Sequence, residues 1–421
     1  MPVLRPRAHQ AAARPRVSIV IPVRDAWAET RRCLRALAAT IPPAESRRVE
    51  VVVVDDGSTD GTPGRLARLR TPFPLRCLPN RGRGFAAASN RGARAARGRT
   101  LVFLNNDTEP RPGWLEPLVG LLERDPRVGV AGARLLYPDG SLQHAGIFLS
   151  DLGFPYRPYR LADGGLPPAR RRRDVPAVAG ACLAVRRDLY LGLGGFDEGY
   201  PIGNLEDVEF CLRVGRTGRR VVCDGRSVVV HVEGATKRVH FYSSRENHVR
   251  FFRAVRRLRW TPHARLYRED GWRLLPVAAY LRRLARAIPR RAPVFVLGAE
   301  EHTERIAEAL VAAFGRPGGP PGGRIVGVVR RPGGGVSPAV RARFPVVPFR
   351  RIAEARGARV LVSSYDFEEE AIGALRARTR LPPGRIFAFY RPTPGLPCLP
   401  NAWDEVYVPV LLSALRETYT A

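Results

Sequence analysis

Two stretches decide the fold: Val17-Ser18-Ile19-Val20-Ile21-Pro22 and, further on, Val51-Val52-Val53-Val54-Asp55-Asp56-Gly57-Ser58. Both are apolar, β-branched runs that stop at a proline or at an Asp-Asp-Gly turn. A strand reads this way when both of its faces are buried. Between them, residues 26–40 have helical spacing, with Trp27, Cys33, Leu34 and Leu37 at the apolar positions. Working outward, residues 75–78 form a short third strand and 84–96 a helix of small residues. Leu101-Val102-Phe103-Leu104 is a fourth strand, ended by Asn105-Asn106-Asp107. This alternation predicts a parallel α/β sheet covered on both faces.

Beyond residue 128 the pattern is more mixed. Residues 129–137 and 142–149 read as strands around a Pro138-Asp139-Gly140 turn, and 151–174 as a Pro/Gly/Arg loop. A helix is expected over 205–214. Two short strand segments follow between Arg220 and His231, split at Asp224-Gly225. Residues 236–291 are Arg-rich, with Phe251, Phe252, Trp260, Trp272 and Leu281 interleaved, and read as amphipathic helices. From Pro293 a second strand–helix alternation begins, which predicts a smaller α/β domain. The expected organisation is a disordered basic leader (1–16), a first α/β domain (17–235), a basic helical linker (236–291) and a C-terminal α/β domain (292–421).

The chain has 421 residues, enough for two cores. Its net charge of +31, from 70 basic and 39 acidic residues, suggests an anionic partner. All but one of the basic residues are arginine, Lys237 being the exception, alongside 41 Gly and 39 Pro. Codon bias of a GC-rich genome accounts for such a composition, so charge alone carries no functional claim. The six cysteines are scattered singly with no C-x-x-C pair, which favours reduced, mostly buried thiols. No apolar run approaches the ~20 residues of a membrane helix, and the basic start lacks the apolar core of a secretory signal. A cytoplasmic location is therefore expected.

In open α/β sheets, ligands bind at the carboxyl ends of the strands. Three polar clusters fall there: Arg24-Asp25, Asp55-Asp56 and Asn105-Asn106-Asp107. Amides and carboxylates converging on one edge suit a divalent cation shared with a diphosphate. Asp55, Asp56 and Ser58 also have the composition of a plain turn.

At these positions the sequence resembles glycosyltransferase family 2. The resemblance rests on 17–22, on Val52 to Thr62 (VVVDDGSTDGT), on Asn80 to Gly92 (NRGRGFAAASNRG) and on Leu104 to Asp107. Gly194-Gly195-Phe196-Asp197-Glu198, then Glu206 to Arg213 (EDVEFCLR) and His231 complete it. It covers about residues 17–234 and points toward rhamnosyltransferase-like enzymes of bacterial surface polysaccharides. It implies a GT-A nucleotide-diphospho-sugar transferase fold and inverting transfer of a hexose-type sugar to an acceptor hydroxyl. The implied partners are a nucleoside-diphosphate sugar donor, a glycan or lipid-linked acceptor and a divalent cation, Mn²⁺ or Mg²⁺.

By the same resemblance, Pro22 and Val23 line the nucleotide site, Asp56 accepts from the base, and Gly84 and Asn90 belong to a segment closing over the nucleotide. Asn106 and Asp107 occupy the metal motif, where an amide replaces the first acid of Asp-x-Asp. Asp107 and His231 are then the metal residues, Asp207 the general base, and Glu206 a donor contact. Each role has a structural alternative. Glu206 and Asp207 suit the first turn of any helix. A histidine after an apolar strand also serves packing. Arg170-Arg171-Arg172-Arg173 suits either an acceptor phosphate or plain solvation. The 236–291 helices suit either an anionic membrane surface or packing between domains. Two other readings stay open: a sugar-nucleotide-binding scaffold without catalysis, and a nucleic-acid-binding protein, for which no recognisable motif is present.

The C-terminal domain resembles a Rossmann-like domain whose first turn, Gly298-Ala299-Glu300-Glu301-His302-Thr303, keeps only the first glycine of G-x-G-x-x-G. Glu300 and Glu301 at that helix start repel phosphate. A structural or regulatory domain is expected there rather than a working dinucleotide site.

Overall fold

A computed structural model describes residues 14–200, 204–233, 244–255, 258, 260–298, 300–315, 324–330, 335–363, 368–379, 381–390, 393 and 396–409. The chain divides into two units. One is Met1–Ile147 with Gly164–Arg259; the other is Phe148–Asp163 with Trp260–Ala421.

In the first unit the strand Val17–Val23 pairs in parallel with Val49–Asp55 on one side and with Thr100–Leu104 on the other. Leu75–Pro79 extends the parallel half beyond Val49–Asp55. The sheet then becomes mixed. Cys182–Arg186 runs antiparallel between Thr100–Leu104 and Val128–Leu136. Arg220–His231 runs parallel to Val128–Leu136, and Arg172–Asp174 closes the edge. The three central strands of the parallel half are buried throughout, which is why they read as unbroken apolar runs, whereas the edge strand Leu75–Pro79 is partly exposed.

The pleat sends alternate residues to opposite faces. Ile19, Ile21, Val51 and Val53 meet Cys33, Leu34 and Leu37 of the helix Trp27–Thr40 and Leu118, Val119 and Leu122 of the helix Leu115–Arg124. The helix Phe85–Ala95 covers the other face. There Gly92 sits so close to Val20 and Val54 that a Cβ has no room. Its run of small residues is the condition for that close approach.

Three sequence expectations are corrected. Residues 142–149 are not one strand: Leu142–His144 pairs within the first unit, while Phe148–Leu149 pairs with Pro155–Tyr156 in the second. Gly146, with φ of 102°, turns the chain between them. The loop expected over 151–174 contains the strand Pro155–Tyr156, a short helix Pro167–Arg170 and the strand Arg172–Asp174. Arg220–His231 is a single strand, with a register shift between Asp224 and Val228 rather than a break.

Of the expected leader, residues 1–13 lie outside the described residues. Arg16 is anchored, forking to Glu116 at 2.8 Å and Glu123 at 2.7 Å.

The second unit holds a five-stranded parallel sheet in the order Val346–Val347, Ile325–Val329, Val294–Leu297, Arg359–Val362, Ile386–Ala388. Phe295, Leu297, Val329, Val360, Val362 and Leu375 are in its core. Of the basic segment 236–291, Ser244–Val255 belongs to the first unit, and His263–Glu269 and Val277–Ala287 to the second. The helix Val277–Ala287 buries Val277, Tyr280, Leu281 and Leu284 inside its own unit. The apolar face of this helix is therefore already covered. Residues 236–243 lie outside the described residues. No helix among the described residues is long and apolar enough to cross a membrane. Five of the six cysteines are buried and all are free thiols; Cys77 is exposed.

Candidate active site

The first two strand ends are stitched together by side chains. Asp25 Oδ1 accepts from the backbone N–H of Thr59 (2.6 Å) and Asp60 (3.2 Å), and Ser58 Oγ accepts from Asp25 N (2.7 Å). Asp25 and Ala26 both have φ of 55°, in the left-handed region that Asp tolerates and Ala does not. The helix Trp27–Thr40 begins directly after this turn.

Asp56 is buried, and its carboxylate organises the loop of residues 80–84. Oδ1 accepts from Asn80 Nδ2 (2.6 Å) and Arg83 N (2.8 Å), and Oδ2 accepts from Gly84 N (2.9 Å). A carboxylate offers about four acceptor sites, so roughly one stays available to a ligand. Pro22 and Val23 are buried in their strand, and Val23 O accepts from Asp56 N at 2.7 Å. Gly84, at φ of 92°, begins the helix Phe85–Ala95.

Asn90 is bound within the protein at both ends of its amide. Its Nδ2 donates to Phe196 O (2.8 Å) and Glu198 Oε1 (3.0 Å), while Oδ1 accepts from Tyr190 Oη (2.6 Å) and Phe196 N (2.9 Å). Both donors and both acceptor positions are spent within the protein. Asn90 fixes the Gly194–Glu198 segment and presents no amide to a ligand. Arg213 ties the same segment from the other side, donating to Leu193 O and Gly195 O at 2.7 Å each while its Nε donates to both carboxylate oxygens of Glu209.

The third strand end carries Asn105-Asn106-Asp107. Asn106 is buried, and its Nδ2 donates to Thr30 Oγ1 at 3.0 Å. Asp107 Oδ1 lies 3.1 Å from His231 Nε2, and both side chains are about nine-tenths buried. Burial pushes the Asp107 carboxyl upward, but the hydrogen bond and charge of His231 outweigh it and hold the group below its usual range. On the far side of the ring, His231 Nδ1 faces Gln143 Oε1 at 2.7 Å. Gln143 Nε2 donates to His231 O (3.2 Å) and Glu233 Oε2 (3.3 Å), so Oε1 is the acceptor and Nδ1 carries a proton. In the neutral ring Nε2 is then a lone pair, which also accepts from Asn105 Nδ2 at 3.4 Å. That lone pair faces a carboxylate. A proton on Nε2 or a cation between the two groups resolves the repulsion, and an acid plus an imidazole is a donor set that holds Mn²⁺ or Mg²⁺ beside a diphosphate.

Asp207 stands at the start of the helix Glu206–Arg216, next to buried Glu206. The turn before it places Asn204 (φ of 95°) and Leu205 (φ of 79°) in the left-handed region. Such residues cost ~1–2 kcal/mol each and persist where the surroundings dictate them. Asp207 Oδ2 accepts from Gly180 N at 2.6 Å and Oδ1 from Val208 N at 2.8 Å. The neighbouring Ala181 O accepts from Asn105 N at 3.1 Å, and His144 Nε2 accepts from Ala179 N at 3.4 Å. The segment 179–181 thus connects Asp207 to Asn105, and residues 143–144 connect it to His231. Of the Arg170–Arg173 run, Arg172 is bound to buried Asp224 at 2.8 Å.

Gln143, His144 and Gly180 escaped the sequence reading. None belongs to a motif, and the contacts that place them here, to His231, Ala179 and Asp207, span 88, 35 and 27 residues.

The carboxyl edge of this half-parallel sheet gathers an ordered glycine loop, an acid–histidine pair and a helix-start carboxylate, on the side where open α/β sheets bind ligands. The glycosyl transferase family 2 model matches residues 18–190. The chain is 30% identical over 266 residues to the N-acetylglucosaminyl-diphospho-decaprenol L-rhamnosyltransferase of Mycobacterium tuberculosis, covering 54% of this chain and 84% of that protein. It therefore belongs to glycosyltransferase family 2, and its first unit has the GT-A fold. It is 34% identical over 231 residues to the O-antigen biosynthesis protein RfbC of Myxococcus xanthus, which covers 53% of this chain and only 18% of that longer protein. A solved mannosyltransferase from Pyrobaculum calidifontis, in complex with GDP-Man and Mn²⁺, overlays with a TM-score of 0.42 at 23% identity, over 66% of this chain and 76% of that one.

Proposed function

We propose that the chain transfers a hexose-type sugar from a nucleoside-diphosphate sugar to an acceptor hydroxyl, with inversion, in bacterial surface polysaccharide or glycan synthesis. One observation carries this reading. Asp207 and the Asp107–His231 pair are joined through the 179–181 segment into one polar edge. The relatives named for O-antigen synthesis and rhamnosyl transfer support the same chemistry.

Asp107 and His231 are the residues that hold the divalent cation. When bound, the cation neutralises charge on the departing nucleoside diphosphate. The loop that Asp56 orders, with Pro22 and Val23, positions the nucleotide. Asp207 takes the proton of the acceptor hydroxyl. Gly180 N and Val208 N donate to its two oxygens and hold the carboxylate in place for that step. The acceptor is a glycan or a lipid-linked saccharide.

The second unit is a Rossmann-like domain that does not bind a dinucleotide. A Cβ at Gly298 would lie 2.6 Å from Ser363 O, so the first turn is already crowded by the protein's own backbone. His302, at the start of the helix Glu301–Phe314, is tied to Ser363 Oγ (2.8 Å) and Tyr390 Oη (2.6 Å) where a pyrophosphate would sit in a working site.

The test is release of nucleoside diphosphate from a panel of UDP-, GDP- and dTDP-sugars with Mn²⁺. Hydrolysis of at least one donor, dependent on Asp107, is expected. Neither hydrolysis nor a rise in melting temperature with any donor overturns the reading.

A further inference from the structure

The second unit contains a group of side chains that sugar transfer does not use. His263 opens the helix His263–Glu269 and is fully buried. Its Nε2 lies 3.1 Å from Asp404 Oδ2 and 3.9 Å from Asp151 Oδ1. Neither His263 Nε2 nor Asp404 Oδ2, though both are buried, makes a well-aligned hydrogen bond among the described residues. The three ligand atoms lie within 4.8 Å of one another. A tetrahedral ion with bonds of ~2.0–2.1 Å separates its ligand atoms by about 3.3 Å, between the two histidine distances.

The surroundings are those of a built site. His263 Nδ1 is held by Tyr156 Oη at 2.7 Å, which fixes the ring and, with Nδ1–H donating, leaves Nε2 as a lone pair toward both carboxylates. Tyr156 stacks on Trp403 at 4.1 Å, and Trp403 directly precedes Asp404, so two aromatic rings flank the inner side. Asp151 is 61% exposed, which leaves the outer side open to solvent. One imidazole and two carboxylates, with an open position, suit a borderline transition-metal ion better than Mg²⁺ or Ca²⁺.

We propose that Asp151, His263 and Asp404 bind a transition-metal ion of the Zn²⁺ or Co²⁺ type, in a site separate from Asp107 and His231. The ion ties the excursion 148–163 to the helix start at His263 and to the segment around Asp404.

The test uses the full chain carrying Asp107→Ala, stripped with chelator and titrated with Co²⁺. One equivalent is expected to bind, with visible d–d absorption, and Zn²⁺ should displace it. Adding Asp151→Ala, a change at an exposed side chain that leaves the fold intact, should weaken Co²⁺ binding tenfold or more and remove the metal-dependent rise in melting temperature. No Co²⁺ bound in the Asp107→Ala chain, or binding unchanged by Asp151→Ala, overturns the proposal and leaves a histidine–carboxylate pair only.

Discussion

Gln143 Oε1 accepts the Nδ1 proton of His231 at 2.7 Å, and this contact decides which face of the imidazole meets Asp107. The glutamine cannot reverse its amide without losing two donor contacts, to His231 O and Glu233 Oε2. The tautomer is thereby locked with Nε2 toward the acid, the arrangement a metal-binding histidine needs.

Gln143→Leu removes that lock while keeping a similar volume in a fully buried position. Affinity for Mn²⁺, measured by titration in the presence of UDP or GDP, should fall about 10–100-fold, the usual scale for losing a partner behind a ligand. Unchanged Mn²⁺ affinity with an intact fold would reduce Gln143 to a packing residue.

Asp107→Ala goes further, because Asn106 supplies no charge and Asp107 is the only acid of its motif. Mn²⁺-dependent binding of nucleoside diphosphate should disappear, while metal-independent binding persists through the loop ordered by Asp56. Calorimetric titration of UDP and GDP with and without Mn²⁺ checks this. Equal Mn²⁺ dependence in wild type and variant would remove Asp107 from the metal site.

The parallel half of the sheet was legible because burial on both faces leaves no polar alternation, as in Val51 to Val54. The acids at the strand ends were legible because turn chemistry and ligand chemistry use the same residues at the same places. What stayed hidden depends on partners distant in sequence. Asn90 reads as part of a nucleotide segment until its four hydrogen bonds to Tyr190, Phe196 and Glu198 are seen. Arg172 reads as one of four solvated arginines until Asp224 is found beneath it. The excursion 148–163 leaves the first unit at Gly146, and no composition change marks that departure.

His302 gives the second unit an acid sensitivity. Burial pushes its pKa down to about 3, because the site cannot solvate an imidazolium. Below pH ~6.5 the unfolded chain gains a proton there that the folded chain refuses. The contribution of this residue is therefore fully present above pH ~6.5 and declines as pH falls toward about 3. Denaturant melts of wild type and His302→Gln between pH 7.5 and 4.5 check the sign. The wild type should lose more stability across that window than the variant, and parallel pH profiles would disprove the assignment.

Asp207→Asn separates the two roles open to a helix-start acid. Both Asp207 oxygens accept from backbone, Oδ2 from Gly180 N and Oδ1 from Val208 N. Asparagine keeps one acceptor and places an amide N–H against the other donor, so a stability loss of ~1–3 kcal/mol is expected from the unsatisfied contact alone. Donor binding should survive, because the loop of residues 80–84 is ordered by Asp56 and not by Asp207. Turnover should fall ~10²-fold or more, since an amide cannot take the acceptor proton. A purely structural Asp207 predicts a different pattern: a lower melting temperature with turnover close to wild type below that temperature. Asp207→Ser is the companion variant, because its small side chain removes the carboxylate without opposing an amide to Gly180. If both variants bind donor in the presence of Mn²⁺ and neither turns over, the carboxylate itself is the base. Turnover near wild type in either folded variant would return Asp207 to the role of holding Gly180 in place.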